Sequence, residues 1–169
     1  MGEATEQLRE KHNISREDQD AFSALSHQQA AAAWDAGKYD NLVVSVPPPN
    51  KPGTAQTRDE TIRADSTAES LSKLRTVFRT GENATVTAGN ASPMNDGASA
   101  AFIGSARGGE LLGAAPLARI VSNASFALDP QFFGFAPVEA ANKALAKAGL
   151  KWTDISVVEL NEAFAAQSL

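Results

Sequence analysis

The sharpest change in the pattern of apolar and polar positions lies near the end of the chain. Ile155-Ser156-Val157-Val158-Glu159-Leu160 is rich in β-branched residues, and Asn161-Glu162-Ala163-Phe164-Ala165-Ala166-Gln167 then brings strong helix formers. The period should switch there from two to about 3.6, which places Asn161 on a strand-to-helix elbow. Two readings of Asn161 stand at this point. Its amide can cap the orphan backbone donors of the following helix. Alternatively, since ligands bind at the carboxyl ends of strands in α/β sheets, a neutral amide there can fix a water or polarise a carbonyl.

Upstream, residues 3–14 form a polar, helix-prone opening. Ser15, with Asp18 three residues on, caps a predicted helix over Arg16–Ala36, whose apolar side holds Phe22, Leu25 and Ala30 to Ala33 and which Gly37 stops. His27 within it reads as a surface or packing residue. Leu42 to Val46 predicts a short strand ended by Pro47-Pro48-Pro49, which cannot donate ladder hydrogen bonds. Residues 50–59 predict an exposed loop, and Thr67 caps a short helix reaching Arg75. Lys73, Arg75 and Arg79 are either a solvated face or part of a site for a phosphate-bearing ligand.

Further on, Thr85-Val86-Thr87 suggests a strand end before the small residues Ala88 to Ser92, which suit either tight packing or close approach of a ligand. Ala98 to Gly104 predicts a buried strand, Ala106 to Leu112 a weak helix and Ala118 to Ser122 another strand. The cluster Phe132-Phe133-Gly134-Phe135 reads chiefly as core. Pro137 fits a first helical turn, and Val138, Ala141, Leu145 and Ala148 share one face before Gly149 ends the helix.

Composition narrows the function. At 169 residues and 43% hydrophobic content the chain is long enough for one ordinary core. A net charge of -5 argues against nucleic acid as a partner. No run approaches the ~18 apolar residues of a membrane span, and Met1-Gly2-Glu3-Ala4 lacks a secretory signal pattern, so a cytoplasmic protein without a membrane partner is expected. The sequons at Asn83, Asn90 and Asn123 then carry no weight. The chain has no cysteine, which excludes disulfides, thiolate metal sites and a cysteine nucleophile of its own. No metal-ligand spacing is present, and no cofactor is expected.

Asn161-Glu162-Ala163-Phe164-Ala165-Ala166 after an apolar strand resembles the signature of the thiolase family of acyl-CoA acetyltransferases and acyltransferases. Ala84 to Ser92, Asn95-Asp96-Gly97-Ala98, Pro116 to Val121, Asp129-Pro130, Pro137-Val138 and Lys143-Ala144-Leu145 follow in thiolase order, and the resemblance runs from Met1 to Gln167. It implies an α/β fold: part of a layered αβαβα arrangement with the tail of an inserted loop domain. Residues 1–82 would be the C-terminal part of that loop domain. Residues 83–112 would end the N-terminal half, and 113–169 would begin the C-terminal half.

The resemblance also implies roles. Thiolases transfer an acyl group between acyl-CoA and coenzyme A through an acyl-cysteine, with carbon-carbon bond formation or cleavage through an enolate. Asn161 would hold the water that, with a distant histidine, stabilises the enolate oxygen. Arg63 and Ser70 match contacts to the adenosine end of coenzyme A, and Ser92 matches a contact to its pantetheine arm. Phe133, where methionine is common, and Phe164 would line the acyl pocket. Pro93 replaces a usual glycine beside Ser92, and Glu159 and Glu162 read as solvated or capping carboxylates. Coenzyme A and acyl-CoA would be substrates, and the family implies a homo-oligomer, dimer or tetramer. The family's nucleophilic cysteine, its Gly-His-Pro segment and its second cysteine are missing, so a fragment or truncated product inactive alone is expected. A non-catalytic coenzyme A binding or interaction module, and a generic α/β domain with small-residue packing loops, are the competing readings.

Overall fold

The computed structural model describes residues 1–48, 50–51 and 53–169; Pro49 of the expected proline stop and Pro52 of the expected loop lie outside the described residues. Among the described residues six α-helices follow in order: α1 (Gly2–His12), α2 (Arg16–Asp35), α3 (Ala68–Ser72), α4 (Ala106–Leu112), α5 (Ala136–Ala148) and α6 (Ala165–Ser168). Turns of 3₁₀ helix occupy Pro130–Phe135 and Trp152–Asp154. The chain divides into two compact units. The first holds Met1–Pro93, Pro130–Phe132 and Leu160–Leu169, and the second holds Met94–Asp129 and Phe133–Glu159.

The first unit is built on α1 and α2. Ser15 caps α2 as expected: its Oγ accepts the Asp18 N–H at 3.0 Å and donates to the Asp18 carboxylate at 2.7 Å. At the other end Gly37 takes φ 68°, the Gly37 N–H donates to the Trp34 carbonyl and the Lys38 N–H to the Ala33 carbonyl. This is the Schellman closure that satisfies orphan carbonyls. α1 leaves through Asn13 at φ 55°, a left-handed residue that asparagine tolerates better than most. Between Thr67 and Ser70 a reciprocal capping box starts α3, which stops at Ser72, short of the expected Arg75.

Every buried apolar side chain among the described residues belongs to this unit: Leu8, Ala24, Ala31, Leu71, Val86 and Phe164 to Ala166. The core is otherwise polar, with Glu6, Gln19, Asp20, Thr85, Thr87 and Asn90 enclosed beside them.

The second unit contains the expected α4, capped by Ser105, and the expected α5, with Pro137 in its first turn and Gly149 at φ 68° closing it. Its apolar residues are not enclosed. Val138 on the predicted inward face of α5 is 42% exposed, and the other three residues of that face are half-buried. Phe133 and Phe135 of the aromatic cluster are likewise half-buried in this unit, as is Phe132 in the first, so the expected core there is not formed.

The strand expectations need correction. Ala98 to Gly104, Ala118 to Ser122 and Ile155 to Leu160 carry no strand among the described residues, and Phe102, Ile103, Ile120 and Val157 are well exposed. A strand requires a neighbour to take its N–H and C=O groups, and none lies alongside these segments. Of the predicted strand at 42–46 only Val46 pairs, antiparallel to Gln56, because Leu42 and Val43 are spent in turns onto the Tyr39 carbonyl. The remaining pairings are single antiparallel bridges, Thr76 with Thr87 and Ala91 with Phe164. The layered sheet is therefore not formed by these residues alone.

Candidate functional site

The bridge between Ala91 and Phe164 decides where the site residues fall. The Ser92 N–H donates to the Ala163 carbonyl at 2.9 Å and the Ala165 N–H to the Asn90 carbonyl at 2.9 Å. Pairing keeps Phe164 extended, at φ -146° and ψ 140°, so α6 starts at Ala165. Asn161 is consequently not the cap of that helix, which corrects the elbow predicted at this residue. It lies one tight turn earlier, its carbonyl accepting the Ala163 N–H at 2.9 Å, and its side chain is exposed. The capping reading of its amide falls with the helix boundary.

The same pairing carries Ser92. Its side chain is exposed and its hydroxyl donates to the Pro93 carbonyl at 3.1 Å, a bond open to exchange for a ligand. Asn161 and Ser92 thus sit at one end of one short antiparallel pairing in the first unit. Glu162, expected as a solvated or capping carboxylate, accepts the Ser26 hydroxyl and so ties the Asn161 turn to α2.

Arg63 and Ser70 lie on the segment that α2 holds from the other side. The Arg63 backbone N–H donates to His27 Nδ1 at 3.3 Å, and Gln28 Nε2 donates to the buried Ser66 carbonyl at 3.0 Å. His27 therefore has the packing role expected of it. The Arg63 side chain is exposed, and no hydrogen bond or ion pair holds its guanidinium among the described residues. The Ser70 hydroxyl is engaged in the capping box with the Thr67 backbone. Lys73 pairs with Glu69, and Arg79 with Glu3 and Glu10, which resolves two of the three background cations as surface pairs.

Phe164 is 7% exposed and meets Phe78 edge-on at 6.1 Å between ring centres, so in this chain it is a core side chain. Phe78 in turn covers Gly2, where an added Cβ would lie 2.1 Å from the ring. Phe133 is half-buried within the second unit. Among the described residues no group of acidic, histidine or cysteine side chains could hold a metal ion, and no helix is long and apolar enough to cross a membrane.

Sequence reasoning missed the buried polar scaffold under this site. Glu6 Oε1 accepts the Thr85 and Val86 N–H groups, each at 2.8 Å, and Oε2 accepts the Thr85 hydroxyl at 3.0 Å and Arg9 Nε at 3.2 Å. Asn90 Oδ1 accepts the Thr87 N–H at 2.8 Å, and its Nδ2 donates to Asp20 Oδ1 at 3.0 Å and to the Thr85 carbonyl at 3.1 Å. Asp20 Oδ2 accepts Arg16 Nε at 2.6 Å. The available signal was charge pairs at helical spacing, Glu6 with Arg9 and Arg16 with Asp20, in segments short of large apolar residues.

The chain belongs to the thiolase family. Residues 1–107 match the family description "Thiolase, N-terminal domain" and residues 114–169 match "Thiolase, C-terminal domain". Over its whole length it is 47% identical to the 3-ketoacyl-CoA thiolase of Marinobacter nauticus and 46% identical to the acetyl-CoA acetyltransferase of Chromobacterium violaceum. It spans only 44% and 43% of those two proteins. Among solved structures, human mitochondrial 3-ketoacyl-CoA thiolase in complex with CoA superposes with a TM-score of 0.91 at 40% identity, covering 98% of this chain and 41% of that one. Acetyl-CoA acetyltransferase of Bacillus anthracis gives 0.90 at 37% identity, covering 99% and 42%. The described architecture is thus the corresponding portion of the thiolase fold.

Proposed function

We propose that this chain is the central portion of a thiolase-type acyltransferase, which moves an acyl group between acyl-CoA and coenzyme A with formation or cleavage of a carbon-carbon bond. The observation that carries this reading is the exposure of Asn161 and Ser92 at one end of a single backbone pairing in a chain of thiolase family. In this role the Asn161 amide, a dipole that does not titrate, orients a water toward the thioester oxygen as it becomes an enolate. Ser92 takes the pantetheine arm. Arg63, with an uncommitted guanidinium, meets the adenosine end with Ser70, whose hydroxyl must leave or share its cap. Phe133 is assigned to acyl recognition on the family pattern alone. The burial of Phe164 supports a packing role over a pocket wall.

On this reading residues 1–82 would be the C-terminal part of the loop domain, 83–112 the end of the N-terminal half and 113–169 the start of the C-terminal half. The exposed apolar runs at 98–104, 118–122 and 155–160 would be strands of the layered αβαβα sheet, paired by parts of the thiolase chain beyond the matched 44%. The nucleophile and the second acid-base groups would come from those parts as well, and the complete enzyme would be a cytoplasmic dimer or tetramer with no cofactor beyond its coenzyme A substrates.

The test is to replace the matched portion of the Chromobacterium violaceum enzyme with this chain and follow acetoacetyl-CoA thiolysis. Activity is expected, and Asn161→Ala should lower turnover about a hundredfold or more, the loss of an oxyanion donor at about 2.7–4 kcal/mol. Full turnover in that variant overturns the role. The complete absence of cysteine favours, as a second reading, a coenzyme A binding module without catalysis. Calorimetry of the 169-residue chain with coenzyme A separates the two, since a module binds alone and a fragment with an incomplete pocket does not.

A further inference from the structure

The Asn90 carbonyl that receives the Ala165 N–H and the Ser92 N–H that reaches Ala163 flank a side chain that is 3% exposed and fully engaged. Asn90 uses its amide oxygen and both donor directions of its nitrogen on Thr87, Thr85 and Asp20. Asp20, 1% exposed, is held from the far side by Arg16 Nε, and Arg16 Nη2 donates to the carbonyls of Leu71 and Leu74 at 2.7 and 3.1 Å. One guanidinium therefore fastens both the end of α3, the helix carrying Ser70, and the carboxylate beneath the Ser92–Ala163 pairing. At Gly89 a Cβ would fall 2.5 Å from Leu74 and 2.7 Å from Leu71, so the loop bearing Asn90 lies directly on α3.

From this geometry we infer that Arg16, Asp20 and Asn90 form a positioning relay. It sets the register between the 90–92 segment and the 163–165 segment, and through it the placement of Asn161 relative to Ser92. The inference rests on the functional reading above for the importance of Asn161, and on the hydrogen bonds alone for the relay. Asn90 suits the task because it must accept one backbone N–H while donating to a carbonyl and a carboxylate, a combination open to a carboxamide and closed to a carboxylate. An aspartate there would also set two carboxylates against each other.

Amide hydrogen exchange on the intact 169-residue chain tests the relay. In Asn90→Ala the Ser92 and Ala165 amides should exchange at least about tenfold faster, while the Thr85 and Val86 amides, held by Glu6, should stay within about twofold. Equal acceleration at all four sites, or none at Ser92 and Ala165, overturns the relay. Should Asn90→Ala fail to fold, Asp20 decides: Asp20→Asn, whose single amide oxygen can still accept from Asn90 while its NH2 group faces Arg16, should keep protection at Ser92 and Ala165 that Asp20→Ala loses. Identical behaviour of the two Asp20 variants overturns it. In the completed enzyme Asn90→Ala should lower kcat about tenfold with KM for coenzyme A nearly unchanged, and an unchanged kcat overturns the positioning role. Because exchange is read without turnover, a loosened pairing together with a fully active Asn161→Ala would remove the functional reading and leave the relay standing. A rigid pairing with an inactive Asn161→Ala would do the reverse.

Discussion

The two compact units of this chain have similar local structure and very different interiors. The first encloses its side chains around buried carboxylates and amides that bind backbone N–H groups; the second has well-capped helices but encloses no apolar side chain among the described residues. Helix caps and left-handed glycines need only a few neighbouring residues, so they form in both. A core needs partners distant in sequence: in the first unit Glu6 reaches across 79 residues to Thr85 and Asp20 across 70 to Asn90, whereas in the second the side-chain bonds to carbonyls reach 22 residues from Ser122 to Ala144 and 24 from Lys147 to Asn123. Local grammar is therefore insufficient to make a unit stable by itself. The comparison predicts that the first unit unfolds cooperatively while the second opens readily.

The chain's two tryptophans fall one in each unit, Trp34 in the first and Trp152 in the second, so each unit can be followed separately by fluorescence of single-tryptophan variants. The largest effect is expected from Glu6→Ala. Removing this carboxylate leaves the Thr85 and Val86 N–H groups and Arg9 without their buried partner, which should cost about 3–5 kcal/mol in urea unfolding followed at Trp34. Trp152 should report no comparable shift. Glu6→Gln keeps an oxygen for the two amides and should lose less. If Trp34 and Trp152 shift together in Glu6→Ala, the division between a stapled and an open unit is wrong.

What was legible in the sequence follows the same line. Ser15, Thr67, Gly37 and Gly149 announced helix ends because capping chemistry is local. The apolar runs at 98–104, 118–122 and 155–160 announced strands by composition, but pairing depends on a neighbour that this stretch of chain does not supply. Asn161 was expected at a strand-to-helix boundary, but no strand precedes it and the helix starts four residues later, because the bridge from Ala91 holds Phe164 extended. Asn90 was illegible for the opposite reason, and Asp20 showed only its helical-spacing pair with Arg16. A buried polar residue looks like a surface residue until its partner, some 70 positions away, is known.

A smaller effect sharpens the contrast at two matched glycines. Gly37 and Gly149 both close helices at φ 68°, and alanine at either must adopt the left-handed region at about 1–2 kcal/mol. At Gly149 nothing lies within 4 Å of the added Cβ, whereas at Gly37 the Asp40 carboxylate oxygen stands 2.8 Å away. Thermal unfolding should therefore show Gly37→Ala losing more than Gly149→Ala, read at Trp34 and Trp152 respectively. Equal losses would mean that the Asp40 side chain moves aside at no cost.

The smallest effect concerns the surface of the stapled unit. Arg79 donates to Glu3 and Glu10, joining α1 to the segment before Thr85, and its hydrogen bond to Glu3 holds the Glu3 carboxyl below the ordinary glutamate range. A carboxyl whose pKa is depressed in the folded state adds stability that is present above its unfolded pKa and is lost as pH falls through the folded value. The contribution should thus be intact at neutral pH and disappear below about pH 4.5, the ordinary glutamate value. Because Glu3 is solvent-exposed, salt should weaken it too. Glu3→Gln should flatten the corresponding acid limb of stability at Trp34 while leaving the Trp152 transition unchanged, and NMR titration of Glu3 should move toward the ordinary value in Arg79→Ala. An unmoved Glu3 titration in that variant would detach the Glu3 pair from the stability of α1 and leave the buried Glu6 contacts and the Phe78 ring over Gly2 to join α1 to this segment.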